Sequence, residues 1–324
     1  MGDCMLRRQS MSAIVPAFNR ADLVAATVDS LLGQVEPFSQ IIVVDDGSTD
    51  GTAQALEPYG DRIHVARTLN HGVQHARNHG ARLATSDWIT FCDSDDLLDP
   101  DFTTVMNGFL RKHGDFDLLY CNFVPFRDSL DDLDKFTLAP PGFFSGAEEI
   151  DGFRCDVPDL YSRILSYQPL FMTGMTVRRS HYLDIGGFDT RLRGVKAEDW
   201  EFTLRAVALS RTALCLRPLA RVRKHHSNDS ADSLLMKLGE VAILEHALQH
   251  HTAAKAYGPA ILRSIETRRT DAFNAAFGRG DLLLAQELLG KIALVARDPK
   301  SRLKRAIVKL PAPAARALWR LTQL

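Results

Sequence analysis

The feature that most constrains this 324-residue chain is the alternation of short apolar runs, three of them leading into acidic or amide residues, with stretches of helical spacing. The runs fall at residues 12–17 (SAIVPA), 40–44 (QIIVV), 62–66 (RIHVA), 88–92 (WITFC) and 117–124 (DLLYCNFV). Helical spacing is read at 23–32, 52–56, 73–84 and 101–112. Continuous apolar runs alternating with helices predict βαβ units in an α/β fold, with a mostly parallel sheet flanked by helices. In such sheets a ligand sits beyond the carboxyl ends of the strands. Those ends carry Asn19, Asp45-Asp46 and Asp93-Ser94-Asp95-Asp96.

The pattern divides the chain into a loose leader at 1–10, a catalytic domain at 11–230 and a helical region at 231–324. Residues 125–168, with Pro125, Pro140, Pro141, Gly142, Gly146 and Pro158, read as an irregular insertion near the site that shapes acceptor binding. Regularity returns at 171–178, in a helix over about 197–208 and in a strand over 213–222. The tail is helical, with breaks expected at Gly258, 278–280 and 298–299.

Lys and Arg number 39 against 40 Asp and Glu, so no global charge draws the chain to nucleic acid. Cys4, Cys92, Cys121, Cys155 and Cys215 are scattered, with no C-x-x-C pair. They read as free thiols in a reducing compartment, which places the chain in the cytoplasm. The apolar stretch after Arg7 and Arg8 is broken by Asn19, Arg20 and Asp22, and is too polar for a signal or a spanning helix.

Five acidic or basic clusters carry candidate chemistry. Asp93 and Asp95 lie two apart after a strand, so alternation turns both carboxylates to one side. Paired carboxylates suit Mg²⁺ or Mn²⁺, with diphosphate oxygens and water completing the shell. The same residues also serve as a polar loop before the next helix. Asp45-Asp46-Gly47-Ser48-Thr49-Asp50 offers acceptors for a base edge and ribose, while Ser48 or Thr49 can simply cap the following helix. Arg77, one turn inside the helix after Asn70-His71-Gly72, presents a fork to base or phosphate, or lies on a solvated face. Glu198-Asp199-Trp200 opens a helix whose dipole alone favours acids there. Functionally, one carboxylate there is a general base for an acceptor hydroxyl. Trp200 then offers a flat face to a sugar ring, and Gly174 is assigned with it to the acceptor side. His225-His226 follows a strand among basic residues, and can reach a metal or a diphosphate, or form a solvated turn.

Taken in order, these motifs resemble glycosyltransferase family 2, inverting enzymes of the GT-A fold. The matching residues are Val15-Pro16-Ala17-Phe18-Asn19, Val44-Asp45-Asp46-Gly47-Ser48-Thr49-Asp50, Asn70-His71-Gly72, Ala76-Arg77-Asn78 and Asp93-Ser94-Asp95-Asp96. Arg178-Arg179, Gly186-Gly187-Phe188-Asp189 and Glu198-Asp199-Trp200 complete the set, which covers about residues 10–230. The resemblance implies a nucleotide-sugar donor held by Pro16, Asn19, Asp45, Asp46, Arg77, Asp93 and Ser94. It implies Mn²⁺ or Mg²⁺ on Asp95 with Asp93 and His226, although His225 beside it leaves the histidine's position open by one residue. Asp199 is the implied base and Glu198 the second candidate. The acceptor is a saccharide or a lipid-linked molecule, as in polysaccharide or glycolipid synthesis.

A nucleotidyltransferase commonly holds its triphosphate in a glycine-rich loop, and Pro16-Ala17-Phe18-Asn19-Arg20 offers none. A dehydrogenase would need G-x-G-x-x-G, which is absent. A non-catalytic sugar-nucleotide-binding relative has no need for Asp93, Asp95 and Asp199 together. Residues 297–324 interleave basic and apolar residues and predict either peripheral contact with the inner face of a membrane or a helix packed on the protein.

Overall fold

The structure, a computed structural model, describes residues 10–128, 130–224, 232–293 and 299–322. They fall into two compact units: the described residues of 1–194 with 201–226, and those of 195–200 with 227–324. The sequence pattern places the division near 230. The structure also groups residues 195–200 with the helical tail.

The first unit runs β1 (Met11–Ala17), α1 (Val24–Leu32), β2 (Gln40–Asp45), α2 (Thr52–Leu56), β3 (His64–Arg67), α3 (Val73–Leu83) and β4 (Trp88–Phe91). It continues with β5 (Leu97–Leu98), α4 (Phe102–Lys112), β6 (Leu118–Arg127), β7 (Leu130–Asp131), β8 (Glu148–Ile150), β9 (Phe153–Cys155) and α5 (Leu160–Ser166). Then come β10 (Thr176–Arg178), α6 (Arg179–Asp184), α7 (Glu198–Leu209), which starts in the segment grouped with the tail, and β11 (Thr212–Arg223).

The sheet order among the described residues is β3-β2-β1-β4-β10-β6-β11-β9-β8. The four strands β3-β2-β1-β4 are parallel throughout. Beyond β4 the sheet is mixed, because β10 runs antiparallel to both β4 and β6. The expectation of a mostly parallel sheet thus describes the N-terminal half. The stretch 125–168 is less irregular than its prolines suggest, since it supplies β7, β8, β9 and α5.

β1 is buried along its whole length, as a strand with both faces covered must be. α3 lies against β1 and β2, and Gly80 permits the approach: a Cβ there would stand 2.5 Å from Ile14 Cγ2. The winding reverses between β1 and β4, so their carboxyl ends flank the crevice at the switch point. Pro16 fits that reversal. Ser10 O and Ile14 O accept from Trp88 N and Cys92 N, whereas Ala17 O accepts from Asp46 N. Alternation therefore turns the proline nitrogen toward β4, past the last registered pair, Ile14 with Phe91. The missing N–H costs no ladder bond there.

The second unit holds α8 (Ser233–His250), α9 (Ala254–Arg279), α10 (Leu282–Lys291), α11 (Pro299–Val308) and α12 (Ala312–Leu321). The break expected at Gly258 lies instead at 251–253, and α9 runs through Gly258, which is buried beside Leu248 of α8. The break at Gly280 is present and is covered by the Trp319 ring. Phe273, Phe277, Leu288, Ile307 and Val308 form this unit's core. Among the described residues no helix is long and apolar enough to cross a membrane.

Candidate active site

The loops after β1 and β2 are sewn together before any ligand is considered. Asn19 N donates to Ser48 Oγ at 2.9 Å, and Asn19 Oδ1 accepts from Thr49 N at 2.9 Å. Arg20 N donates to Thr52 Oγ1 at 2.7 Å and Ala21 N to Asp50 Oδ2 at 3.1 Å. Asn19 adopts φ 52, a left-handed conformation that Asn tolerates better than most residues. Its amide oxygen is thus engaged in shaping the loop.

Asp45 and Asp46 are both buried, with different partners. Asp45 Oδ1 accepts from Ser48 N at 2.9 Å, and Arg67 Nε stands 3.5 Å from Oδ2. Asp46 gathers the N-H-G loop: Oδ1 accepts from Thr68 Oγ1 at 2.8 Å, and Oδ2 from Gly72 N at 2.7 Å. His71 N is 3.1 Å from both oxygens. Gly47 closes the same joint, since a Cβ there would stand 2.9 Å from Asn70 N. The D-D-G and N-H-G motifs are therefore structural mates, a role that sequence reasoning missed.

β4 ends at Phe91, and residues 93–96 form a turn closed by Asp96 N to Asp93 O at 3.0 Å. Strand alternation therefore does not orient Asp93 and Asp95, contrary to the sequence argument; the turn does. Asp93 Oδ1 accepts from Arg77 Nη2 at 2.7 Å, and Arg20 Nε stands 3.7 Å from Asp95 Oδ2. Arg77 also lies over the Phe188 ring, 5.0 Å from its centre, so it is a buried residue and not part of a solvated helix face. Ser94 is buried in the turn, as is Pro16 on β1.

Asp96 points inward. Thr173 Oγ1 donates to its Oδ2 at 2.5 Å and accepts from Asp93 N at 3.1 Å, while Arg223 N donates to Asp96 Oδ1 at 2.8 Å. Burial, with the charges of Asp95 and Asp93 beside it, pushes this carboxyl well above the usual carboxylate range. Thr173 and Arg223 thus carry the turn from beneath, and no short motif points to either. Beside Thr173, Gly174 has φ 88, and a Cβ there would stand 2.3 Å from Cys121 Sγ. Close packing explains that glycine. The four described cysteines are free and buried.

Glu198 and Asp199 open α7 and are half-buried. Ala197, just before them, has φ 61, a strained value for a residue with a Cβ. Their segment is held by the second unit's helices. A Cβ on Gly239 of α8 would stand 2.3 Å from Lys196 O, and the Arg268 guanidinium of α9 lies 4.4 Å from the Trp200 ring centre. Trp200 is only 3% exposed, so the flat face expected to meet an acceptor is covered by Arg268. Burial is the ordinary fate of so large an apolar ring. His225 and His226 lie outside the described residues.

As oxygen donors, Asp93 and Asp95 fit a hard divalent cation, with 24% and 17% of their side chains exposed. Among the described residues no three His, Cys, Asp or Glu side chains converge as a protein-only metal cage would require. Such a cation would take its remaining ligands from elsewhere.

The family model for glycosyl transferase family 2 matches residues 12–149, the span from β1 through the acidic turn into the insertion. Residues 12–149 belong to glycosyl transferase family 2. Among curated relatives, a PGL/p-HBAD biosynthesis glycosyltransferase of Mycobacterium bovis is 28% identical over 200 residues, 60% of this chain and 68% of that protein. The putative glycosyltransferase EpsH of Bacillus subtilis is 33% identical over 131 residues, 39% of this chain and 37% of that protein. Among solved structures, residues 1–349 of S. aureus TarS superpose with a TM-score of 0.58 at 19% identity, covering 97% of this chain and 91% of that one. A mannosyltransferase from Pyrobaculum calidifontis, solved with GDP-Man and Mn²⁺, gives 0.53 at 19% identity, covering 97% and 87%. At such identities the structural likeness is one of fold. The chain is a glycosyltransferase with the GT-A fold of nucleotide-sugar transferases.

Proposed function

We propose that this glycosyltransferase binds a nucleoside-diphosphate sugar in the crevice between the ends of β1 and β4 and transfers the sugar to an acceptor hydroxyl with inversion. The observation that carries the reading is the meeting at the switch point of the loop after β1 with the acid-bearing loops after β2 and β4, with Arg77 on Asp93 and Arg20 beside Asp95. Pro16, Asn19, Asp45, Asp46 and Ser94 shape the donor's walls, and Arg77 is the cation nearest its phosphates. The S. aureus TarS structures solved with UDP and with UDP-GlcNAc, and the GDP-Man complex above, support a nucleotide-sugar donor without choosing among bases or sugars.

Asp93 and Asp95, with His226 as a further candidate, would hold Mn²⁺ or Mg²⁺. A cation there supplies charge neutralisation for the departing diphosphate. Asp199 accepts the acceptor's proton, with Glu198 the second choice, and the in-line geometry of a single displacement follows from attack opposite the leaving group. Holding donor and acceptor together contributes much of the rate. The acceptor is a saccharide or a lipid-linked intermediate of polysaccharide or glycolipid synthesis, met in the cytoplasm or at the inner face of a membrane.

The test is nucleoside-diphosphate release from a panel of UDP-, GDP- and dTDP-sugars with Mn²⁺, with and without candidate acceptors. Asp199→Asn should abolish transfer while donor affinity, read by thermal shift, stays near that of the parent. Transfer at the parent rate would remove Asp199 from the base role, and failure of every donor to bind would remove the reading itself.

A further inference from the structure

The described part of the tail, 299–322, contains seven basic residues and no acid. α11 and α12 answer part of the question of what that stretch does, because the structure separates the side chains they spend on packing from those they leave outside. Inward go Ile307, Val308 and Ala315, which join the second unit's core, and Trp319, whose Nε1 donates to Phe277 O at 2.6 Å. Lys304 is likewise committed, donating to Asn274 Oδ1 at 2.8 Å and lying over the Phe277 ring. Packing on the protein therefore accounts for one face of each helix.

The other faces remain apolar. On α12, Ala314, Ala317, Leu318 and Leu321 recur at i, i+3, i+4 and i+7 and are all exposed, Leu318 at 42% and Leu321 at 65%. On α11, Leu303 and Ala306 are exposed, Leu303 at 55%, and Leu310, in the turn just past the helix's end, is exposed at 39%. Around these residues stand Lys300, Arg302, Lys309, Arg316 and Arg320, all exposed and none in an ion pair among the described residues. Leucine left in water while an indole two residues away is packed inward is uneconomical for a monomer in bulk solvent.

We infer that the outer faces of α11 and α12 dock on an anionic lipid surface, with Leu303, Leu310, Leu318 and Leu321 entering the headgroup–acyl boundary and the five exposed cations meeting lipid phosphates. The charge selects this occupant: five exposed cations without a carboxylate among the described residues of this stretch suit a negative surface and repel a second copy of the same face. The inference does not depend on which residue is the catalytic base or on which donor is used.

Co-sedimentation of the full chain with vesicles tests it. The parent should pellet with phosphatidylcholine–phosphatidylglycerol vesicles, stay in solution with phosphatidylcholine alone, and be released by salt. Leu318→Glu/Leu321→Glu should abolish pelleting; both side chains are exposed, and an unchanged circular dichroism spectrum confirms that the fold is kept. Arg316→Gln/Arg320→Gln should weaken partition by about fivefold for each charge removed. Absence of the parent from the phosphatidylglycerol pellet, or equal pelleting of the leucine variant, overturns the inference. So does a dimer in light scattering that the leucine variant dissolves, because the face would then belong to a second copy.

Discussion

Arg77 Nη2 donates to Asp93 Oδ1 at 2.7 Å, a guanidinium 4% exposed reaching a carboxylate 24% exposed. Arg20 and Asp95 make the looser counterpart, 3.7 Å apart with 26% and 17% exposed. The two acids of one turn therefore stand in unequal electrostatic settings, although the sequence writes them as an equivalent pair.

The inequality separates stability from chemistry. Asp93→Ala leaves the Arg77 cation buried beside the Phe188 ring without its carboxylate, and should cost about 2 kcal/mol after allowance for partial exposure. Asp95→Ala should cost well under about 1 kcal/mol. Both should lose transfer. Denaturant unfolding of the two variants side by side checks this, and equal destabilisation would show that the turn treats the acids alike.

A second pair explains why two separated motifs occur together. Asn78 Oδ1 accepts from Tyr182 Oη at 2.5 Å and from Phe188 N at 2.9 Å, and its Nδ2 donates to Phe188 O at 2.8 Å. Gly187 beside it has φ 61, and a Cβ there would stand 2.5 Å from Asn78 Oδ1. Gly187→Ala should therefore destabilise by about 2 kcal/mol, combining backbone strain with overpacking. A thermal melt reads it; a loss smaller than that of an exposed-glycine control such as Gly152→Ala would show that the joint yields.

What the sequence reveals, and what it hides, follows from the range of the interactions. Apolar runs such as 40–44 and 88–92 report burial directly, so the strands and their acid-bearing ends are legible. Asp46, Asn78 and Gly187 are legible as motif members but not as mates, because their partners lie 22 to 110 residues away. Thr173, carrying the acidic turn through one hydroxyl, has no local signature. Trp200 misleads for a different reason: an aromatic beside two acids looks like a sugar platform, and only Arg268, 68 positions on, tells otherwise.

The segment bearing Glu198 and Asp199 depends on a glycine far along the chain. Gly239 admits Lys196 O where a Cβ would stand at 2.3 Å, and backbone cannot yield as a flexible side-chain tip can. Gly239→Ala should displace that segment, lowering kcat by roughly a hundredfold while donor affinity is kept, since displacements of about 1 Å cost that much. Steady-state kinetics beside a donor thermal shift decide it. An unchanged kcat would show that the candidate base does not need this anchor.

The last prediction concerns pH. Asp232 caps α8: its Oδ1 accepts from Leu234 N at 2.9 Å and Leu235 N at 3.1 Å, and Arg279 stands 2.7 Å away. The Arg279 hydrogen bond first, and the Leu235 N–H next, hold this carboxyl at about 2, below its ordinary 3.8. A carboxyl lowered by folding adds stability that is complete above its unfolded pKa and is lost as pH falls through the folded one. Asp232→Asn keeps a capping oxygen and removes the charge. The variant should thus melt below the parent near neutral pH, and the gap should close as the pH falls from about 4 toward about 2. Paired melts across that window measure it. A gap that persists unchanged at the acid end would assign the effect to the shape of the cap and not to its ion pair with Arg279.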